Sequence, residues 1–229
     1  MFSLKNKLII LLSLSFVFPL GGIGISGLNN FITYDMNESV ESFDLSFQDN
    51  GAEIGANFFI YYDALPFDLA IEYSKELKYQ NLNSTIAFNG SEFNNQAYAG
   101  RKSDYFTIRK DFMDISIPIL AKIALNVGGG FNTHQSIVPS IALLQDIYNI
   151  EDIENLYNAA EQNWDENDIY DALENNAIDA SGIHLQFGVQ AKVLMLNAFI
   201  NAKYTFIIND DSDSLDSFPG LTLGLAYGL

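Results

Sequence analysis

An all-β fold is predicted by this sequence: eight antiparallel strands closed into a transmembrane up-and-down β-barrel, with one helical loop insertion. Three features predict it. Apolar residues recur with a period of two over most of the chain, the spacing that places them on one face of a strand. The segments between these runs alternate between short and long. Beyond the N-terminus no stretch approaches the ~20 apolar residues of a spanning helix.

The elements follow in order. Lys5 and Lys7 precede the apolar run Leu8 to Phe18, which is too short to span a membrane and reads as a secretory signal peptide over 1–22. Gly21, Gly22, Gly24, Ser26 and Gly27 leave cleavage anywhere between 18 and 26, and the barrel domain is taken as 23–229. A first strand over 20–34 changes parity between Ile23 and Ile25 on one side and Ile32 and Tyr34 on the other, which predicts a bulge near Gly27. Further strands are predicted over 52–62, 69–79, 113–123, 125–136, 183–193, 197–208 and 220–229. Tight links fall at Ala64-Leu65-Pro66, near Ile123-Ala124 and at Met195-Leu196, and long ones at 35–50, 81–103, 138–180 and 210–218. An even strand count with alternating short and long connections is the pattern of an outer-membrane barrel, with short periplasmic turns and long outer loops.

The two strand faces differ in chemistry. One carries Leu, Ile, Val, Phe and Ala almost without charge, as lipid contact requires when Lys or Arg at the bilayer midplane costs ~2–4 kcal/mol. The other carries Gly, Asn, Gln, Ser and Thr. A soluble, lipocalin-like ligand-binding barrel would instead turn its apolar face inward and show Lys and Glu to water. Tyr34, Tyr62, Tyr79, Tyr105, Tyr204, Phe206 and Tyr227 are placed at strand ends, as interfacial girdles. Eight strands enclose an interior that side chains fill, which disfavours an open channel. Glu53, Glu72, Asp114, Lys122, His134, Lys192 and Lys203 fall on the inward parity and are assigned to a structural lumen network, with His184 a hydrogen-bonded neighbour. Gly128-Gly129-Gly130 lies within a strand, where it relieves crowding or bends the wall.

Charge and composition bound the chemistry. The 229 residues carry 29 Asp+Glu against 11 Lys+Arg, a formal charge of −18, which argues against nucleic-acid binding. The absence of Cys removes disulfides, thiolate catalysis and Cys-type metal sites. No cofactor or metal ligand set is expected, and Asp210, Asp211, Asp213 and Asp216 lack the Gly and Glu of an EF-hand loop. The insertion over 139–180 switches to helical spacing, with one apolar stripe at Ile150, Ile153, Tyr157, Ala160 and Trp164 and a second at Ile169, Leu173 and Ala177. Asn149 is expected to cap the first helix and Asp165 or Asn167 the second. Eleven acids crowd this region and no Lys or Arg occurs between Lys122 and Lys192, which reads as a solvated helical cap whose apolar stripe packs on the barrel rim, or as a surface for a basic partner or for divalent cations bridging to lipopolysaccharide.

Two stretches carry a family resemblance. Phe112-Met113-Asp114-Ile115-Ser116-Ile117-Pro118-Ile119-Leu120-Ala121-Lys122 resembles a strand motif of PorT-like outer-membrane β-barrel proteins, with Ser116 as an extra residue before the Pro. The closing Gly220 to Leu229 is similar to the terminal strand of such barrels, including those of the OmpA-OmpW-like kind, with Leu221, Leu223, Leu225, Tyr227 and Leu229 on one face. The resemblance implies location in the outer membrane, contact with its lipid and lipopolysaccharide, and insertion by the barrel assembly machinery. The expected role is a non-enzymatic anchor, adhesin or secretion accessory. The alternatives are passage of small apolar molecules, and a lipid hydrolase in which His134 would activate Ser136 as a nucleophile.

Overall fold

The computed structural model describes residues 21–40, 43–88, 90–117, 121–152, 166–210 and 215–228. The predicted signal peptide lies outside them, save that the first strand already begins at Gly21. In chain order the elements are β1 (Gly21–Asn30), β2 (Asp35–Val40), β3 (Phe43–Asp49), β4 (Glu53–Leu65), β5 (Leu69–Phe88), β6 (Ser91–Ile117), β7 (Ala121–Ile137), α1 (Ile141–Tyr148), α2 (Glu166–Asn175), β8 (Ile178–Val193), β9 (Leu196–Asp210) and β10 (Phe218–Gly228).

Eight of the strands close a ring in the order β1-β4-β5-β6-β7-β8-β9-β10, every pair antiparallel. The last strand meets the first from Gly22↔Gly228 to Asn30↔Gly220. Burial alternates residue by residue along β10 and along most of the wall. Ile25, Phe131, Leu185, Leu223 and Leu225 stand exposed on the outside while Asn126, Asn132, Thr205 and Asn197 are buried inside. Polar inside and apolar outside is the inverse of a lipocalin, which corrects the soluble-barrel alternative.

Several expectations are corrected at the outer end. The β1 register runs without a break from Gly21↔Tyr62 to Asn30↔Glu53, so no bulge occurs at Gly27. Ile32 and Tyr34 keep the inward parity and are buried because the interior itself becomes apolar above the charged lumen. The 81–103 segment is not a loop: β5 and β6 pair continuously from Leu69↔Lys110 to Phe88↔Ser91, with Gly90 at φ +79° in the turn, a conformation glycine adopts without strain. Ser91–Ala99 has no β7 partner, because β7 joins only at Gly100↔Ile137. At ~3.3 Å per residue this hairpin stands roughly 30 Å along the strand beyond the closed wall. The 35–50 segment forms the β2–β3 hairpin, and β3 replaces β4 as the partner of β5 from Leu82 upward.

At the other end, β4 and β5 are joined by a 3-10 turn at Pro66–Asp68, and β8 and β9 by a turn at Leu194-Met195. The expected turn near Ile123-Ala124 is misplaced, since both residues lie inside β7 and β6 ends at Ile117. Tyr34 and Tyr105 are lumen residues rather than girdle residues, whereas Tyr62, Tyr79, Tyr204, Phe206 and Tyr227 are exposed on the outer wall. Gly130 lies where the wall is tightest: a Cβ there would sit 1.8 Å from the Phe106 carbonyl oxygen.

The insertion carries two described helices. Ser140 caps α1, its Oγ accepting from the Leu143 N–H at 3.1 Å, and Glu38 of β2 accepts from the Ile141 N–H at 2.7 Å. Asn149 ends this helix in the left-handed conformation (φ 49°) instead of starting one, a role Asn takes readily at a C-terminus. Residues 153–165, including most of the first predicted stripe, lie outside the described residues. In α2 the buried residue is Ala172, flanked by half-buried Ile169 and Leu173.

Two apolar clusters result. The larger one caps the outer end and joins Ile32, Tyr34, Phe43, Leu45, Phe47, Leu82, Val138, Ile141, Leu215 and Phe218. The smaller closes the opposite end with Phe59, Tyr61, Phe199 and Ala226. Leu82→Ala, which empties a fully buried position in the outer cap, is expected to cost ~2–5 kcal/mol. The readout is the urea midpoint of protein folded in detergent micelles, with heat-dependent gel mobility retained; an unchanged midpoint would contradict a packed cap.

Candidate functional site

The lumen between the two clusters is filled by paired charges in three tiers. Nearest the outer cap, the Glu53 carboxylate accepts from the Arg101 guanidinium and from Asn30 Nδ2 at 2.8 Å. The Arg101 guanidinium lies 4.2 Å from the centre of the Phe218 ring, which couples this tier to the cap. In the middle tier Glu76 accepts from Lys78 at 2.8 Å and from Lys203 at 2.7 Å. Lys203 Nζ also stands 3.5 Å from the centre of the Tyr105 ring. Nearest the aromatic cluster at the opposite end, Arg109 donates to Asp63 at 2.7 Å and lies 3.9 Å from Glu72. Its guanidinium packs over Tyr61 and Phe199 at 5.3 and 5.1 Å, and the Tyr61 hydroxyl accepts from Asn197 Nδ2 at 2.8 Å.

Four acids (Glu53, Asp63, Glu72, Glu76) therefore face four cations (Lys78, Arg101, Arg109, Lys203), and the lumen is neutral by pairing. A buried ion without a partner is strongly destabilising, so the pairs that join two strands, Glu53–Arg101, Glu76–Lys203 and Asp63–Arg109, make each strand rely on another. The internal gap among Glu72, Gln186, Asn201 and Lys203 is about 10 Å³, room for about one water.

Of the residues expected in the lumen, Glu53, Glu72 and His134 are buried there, and Lys203 joins Glu76. Lys122 pairs instead with Asp111 at 2.6 Å, and half-buried Lys192 stands opposite it in register. Asp114 is exposed and is corrected out of the network. It sits opposite Ala124 below the Asp111/Met113 register shift, beyond Lys110 where β5 pairing ends, so no β5 residue flanks it. Sequence reasoning missed Asp63, Glu76, Lys78, Arg101 and Arg109. Continuing the alternation of 69–79 would have placed Glu76 and Lys78 inside. Arg101 and Arg109 were hidden because a run as polar as Arg101-Lys102-Ser103-Asp104 reads as a loop.

His134 and Ser136 do not form a catalytic pair. The His134 ring nitrogens lie 2.7 Å from Ser103 Oγ and 2.8 Å from Asn132 Oδ1, and both His134 and Ser136 are sealed from lipid. His184 Nε2 meets Thr107 Oγ1 at 2.9 Å, and the Tyr105 ring stands edge-on between the two imidazoles. Among the described residues no three His, Asp or Glu are arranged to hold a metal ion. In the last outer loop Asp210 accepts from the Leu215 N–H at 2.6 Å and so closes the loop; Asp211 and Asp213 lie outside the described residues.

The outer end has the opposite electrostatics. Its four connecting segments, 31–52, 80–99, 138–178 and 209–217, hold twenty of the 29 acids and not one Lys or Arg. Asp146, Glu151, Asp168 and Asp171 line a cleft between α1 and α2, braced by Asn176 Nδ2 donating to Asp146 at 2.7 Å.

No family model and no curated protein matches the chain. Among solved structures it is similar to Ail, the attachment invasion locus protein of Yersinia pestis, in complex with the heparin analogue sucrose octasulfate. That match has 9% identity, covers 91% of this chain and 97% of the other, and has a TM-score of 0.40. It is also similar to the β domain of the Bordetella autotransporter BrkA, with 8% identity, 92% and 100% coverage and a TM-score of 0.32. The closed antiparallel ring, apolar outer wall and polar interior define a transmembrane β-barrel of the outer membrane.

The Glu53–Arg101 pair gives a direct test of the lumen. Glu53→Gln strands a buried guanidinium and is expected to cost ~3–5 kcal/mol, whereas Glu53→Gln with Arg101→Met recovers most of that loss. Urea titration of the two variants checks both, and equal destabilisation by the single and double variants would count against the pairing.

Proposed function

We propose that this barrel is a non-enzymatic outer-membrane anchor that presents a rigid acidic platform at the cell surface to a basic partner. The carrying observation is the segregation of charge: pairs neutralise the lumen, while the outer segments hold twenty acids without a cation. An acidic field of this kind attracts cationic partners and speeds their encounter. Packing of α1 and the β2–β3 hairpin onto the outer cap supports a fixed platform in place of mobile loops. The band of exposed Leu, Ile and Phe would meet membrane lipid, with lipopolysaccharide at its outer rim. Leu221, Leu223, Leu225 and Tyr227 would form the strand read by the assembly machinery; Leu229 lies outside the described residues. The motif at 112–122 supports kinship with PorT-like barrels. The aromatic floor and ion pairs speak against passage of small molecules through the lumen.

Two measurements test this reading. Reconstituted protein is expected to be silent in planar bilayers, and steady single-channel conductance would refute the sealed lumen. Cells displaying the protein are expected to bind fluorescent decalysine in a salt-sensitive manner. Asp146→Asn, Asp168→Asn, Asp171→Asn and Glu174→Gln combined should reduce that binding several-fold at equal surface expression; undiminished binding would defeat the acidic platform.

A further inference from the structure

Above the wall, β2, β3, β5 and β6 form a sheet of their own, and its β6 border is built as an acceptor for another strand. Among the described residues Ser91–Ala99 pairs with β5 alone. The direction of its free backbone groups follows from its neighbour. The Asn81 carbonyl accepts from the Asn50 N–H at 3.0 Å, on the side of β5 away from β6. Asn81↔Tyr98 is therefore a pair without mutual hydrogen bonds, and the N–H and C=O of Tyr98 point away from β5. Alternation gives the same orientation to Glu92, Asn94 and Gln96, and the Gln96 N–H is met only by the neighbouring Asn95 side chain at 2.9 Å.

This border lacks the usual protections. Exposed edges are normally blunted by Lys, Pro, bulges or shortness. Over Ser91–Ala99 there is no Pro, Lys, Arg or register break, and Glu92 is the one charge. The opposite border, β2, is six residues long and carries Asp35 and Glu38. The two faces of the β6 border differ. The row Leu45–Ile86–Phe93 runs outward from the apolar cap, with Leu45 2% exposed and Phe93 60%. The adjacent row Asp44–Ala87–Glu92 carries acids on the other face.

We infer that Ser91–Ala99 binds an extended segment of another protein by β-strand addition, one whose apolar residues cover Phe93 while alternate Lys or Arg residues lie on the other face, where one meets Glu92 and the rest stand in the field of the outer acids. A second copy of this chain would bring two cation-free acidic ends together, so charge selects a basic foreign strand. This inference rests on the acidic-platform reading and supplies its binding geometry.

The test uses full-length protein in detergent micelles with a labelled nine-residue peptide of alternating Lys and Val, and the same peptide N-methylated at every amide. Fluorescence anisotropy should show the methylated peptide binding at least ten-fold more weakly, although its charge is unchanged. Asn94→Pro and Gln96→Pro, each with barrel closure checked by heat-dependent mobility, should weaken the parent peptide at least ten-fold. In the unmutated protein, exchange of the Asn94 and Tyr98 amides should slow in the complex. Equal binding of both peptides, or no effect of either Pro variant, would mean attraction by charge alone, which leaves the acidic platform standing and overturns strand addition. Absence of binding by the parent peptide, or protein dimerisation abolished by Gln96→Pro, overturns it too.

Discussion

A backbone in hydrocarbon finds no water for its N–H and C=O groups, so every such group must be bonded within the protein. Here that requirement is met by the pairing of β10 with β1, which joins the chain's last described strand to its first. An unpaired edge on either strand would leave a ladder of polar groups facing lipid. Closure also sets the direction of every side chain in the wall. Once the ring is shut, the pleat sends alternate residues to lipid and to a lumen only wide enough for side chains.

The crowded lumen explains the ion pairs. Polar residues on the inward parity have nowhere else to point, and each charge needs a partner within the lumen. Glu76 of β5 is held by Lys203 of β9, and Arg101 of β6 by Glu53 of β4, so the pairs tie together strands far apart in sequence. Below them Phe59, Tyr61 and Phe199 form an aromatic floor. Above them the interior turns apolar and behaves as an ordinary dry core, on which a hairpin and a helix are seated. The membrane segment is thus continuous with a surface domain made from its own extended strands, and that continuity gives the acidic outer end a fixed shape.

Much of this was legible in the sequence where one strand face meets lipid. Leu221 to Tyr227, Ile183 to Val193 and Ile54 to Tyr62 alternate so regularly that facing and strand identity could be read directly. Legibility failed where the strands leave the bilayer. Beyond Tyr79 and Ser103 neither face of β5 or β6 is in lipid, so the period fades and the outer part of a 27-residue strand reads as a loop. Ile32 and Tyr34 looked like a shift in register because an apolar residue can face inward once the lumen gives way to the cap. His134 and Ser136 looked like a reactive pair because they share a strand face, but the ring nitrogens of His134 meet Ser103 of the neighbouring strand and Asn132 of its own.

By itself the sequence determined the all-β class, the eight-strand count, the polarity of each face and the concentration of acids between strands. These are local properties, set by alternation along a single segment. Only the tertiary structure decided which lumen acid meets which cation, where the turns fall, that Asp114 lies outside the network and that among the described residues Ser91–Ala99 pairs with β5 alone. Those outcomes depend on register between strands and on the tilt that closing a barrel imposes. Neither is encoded in the period of any one strand.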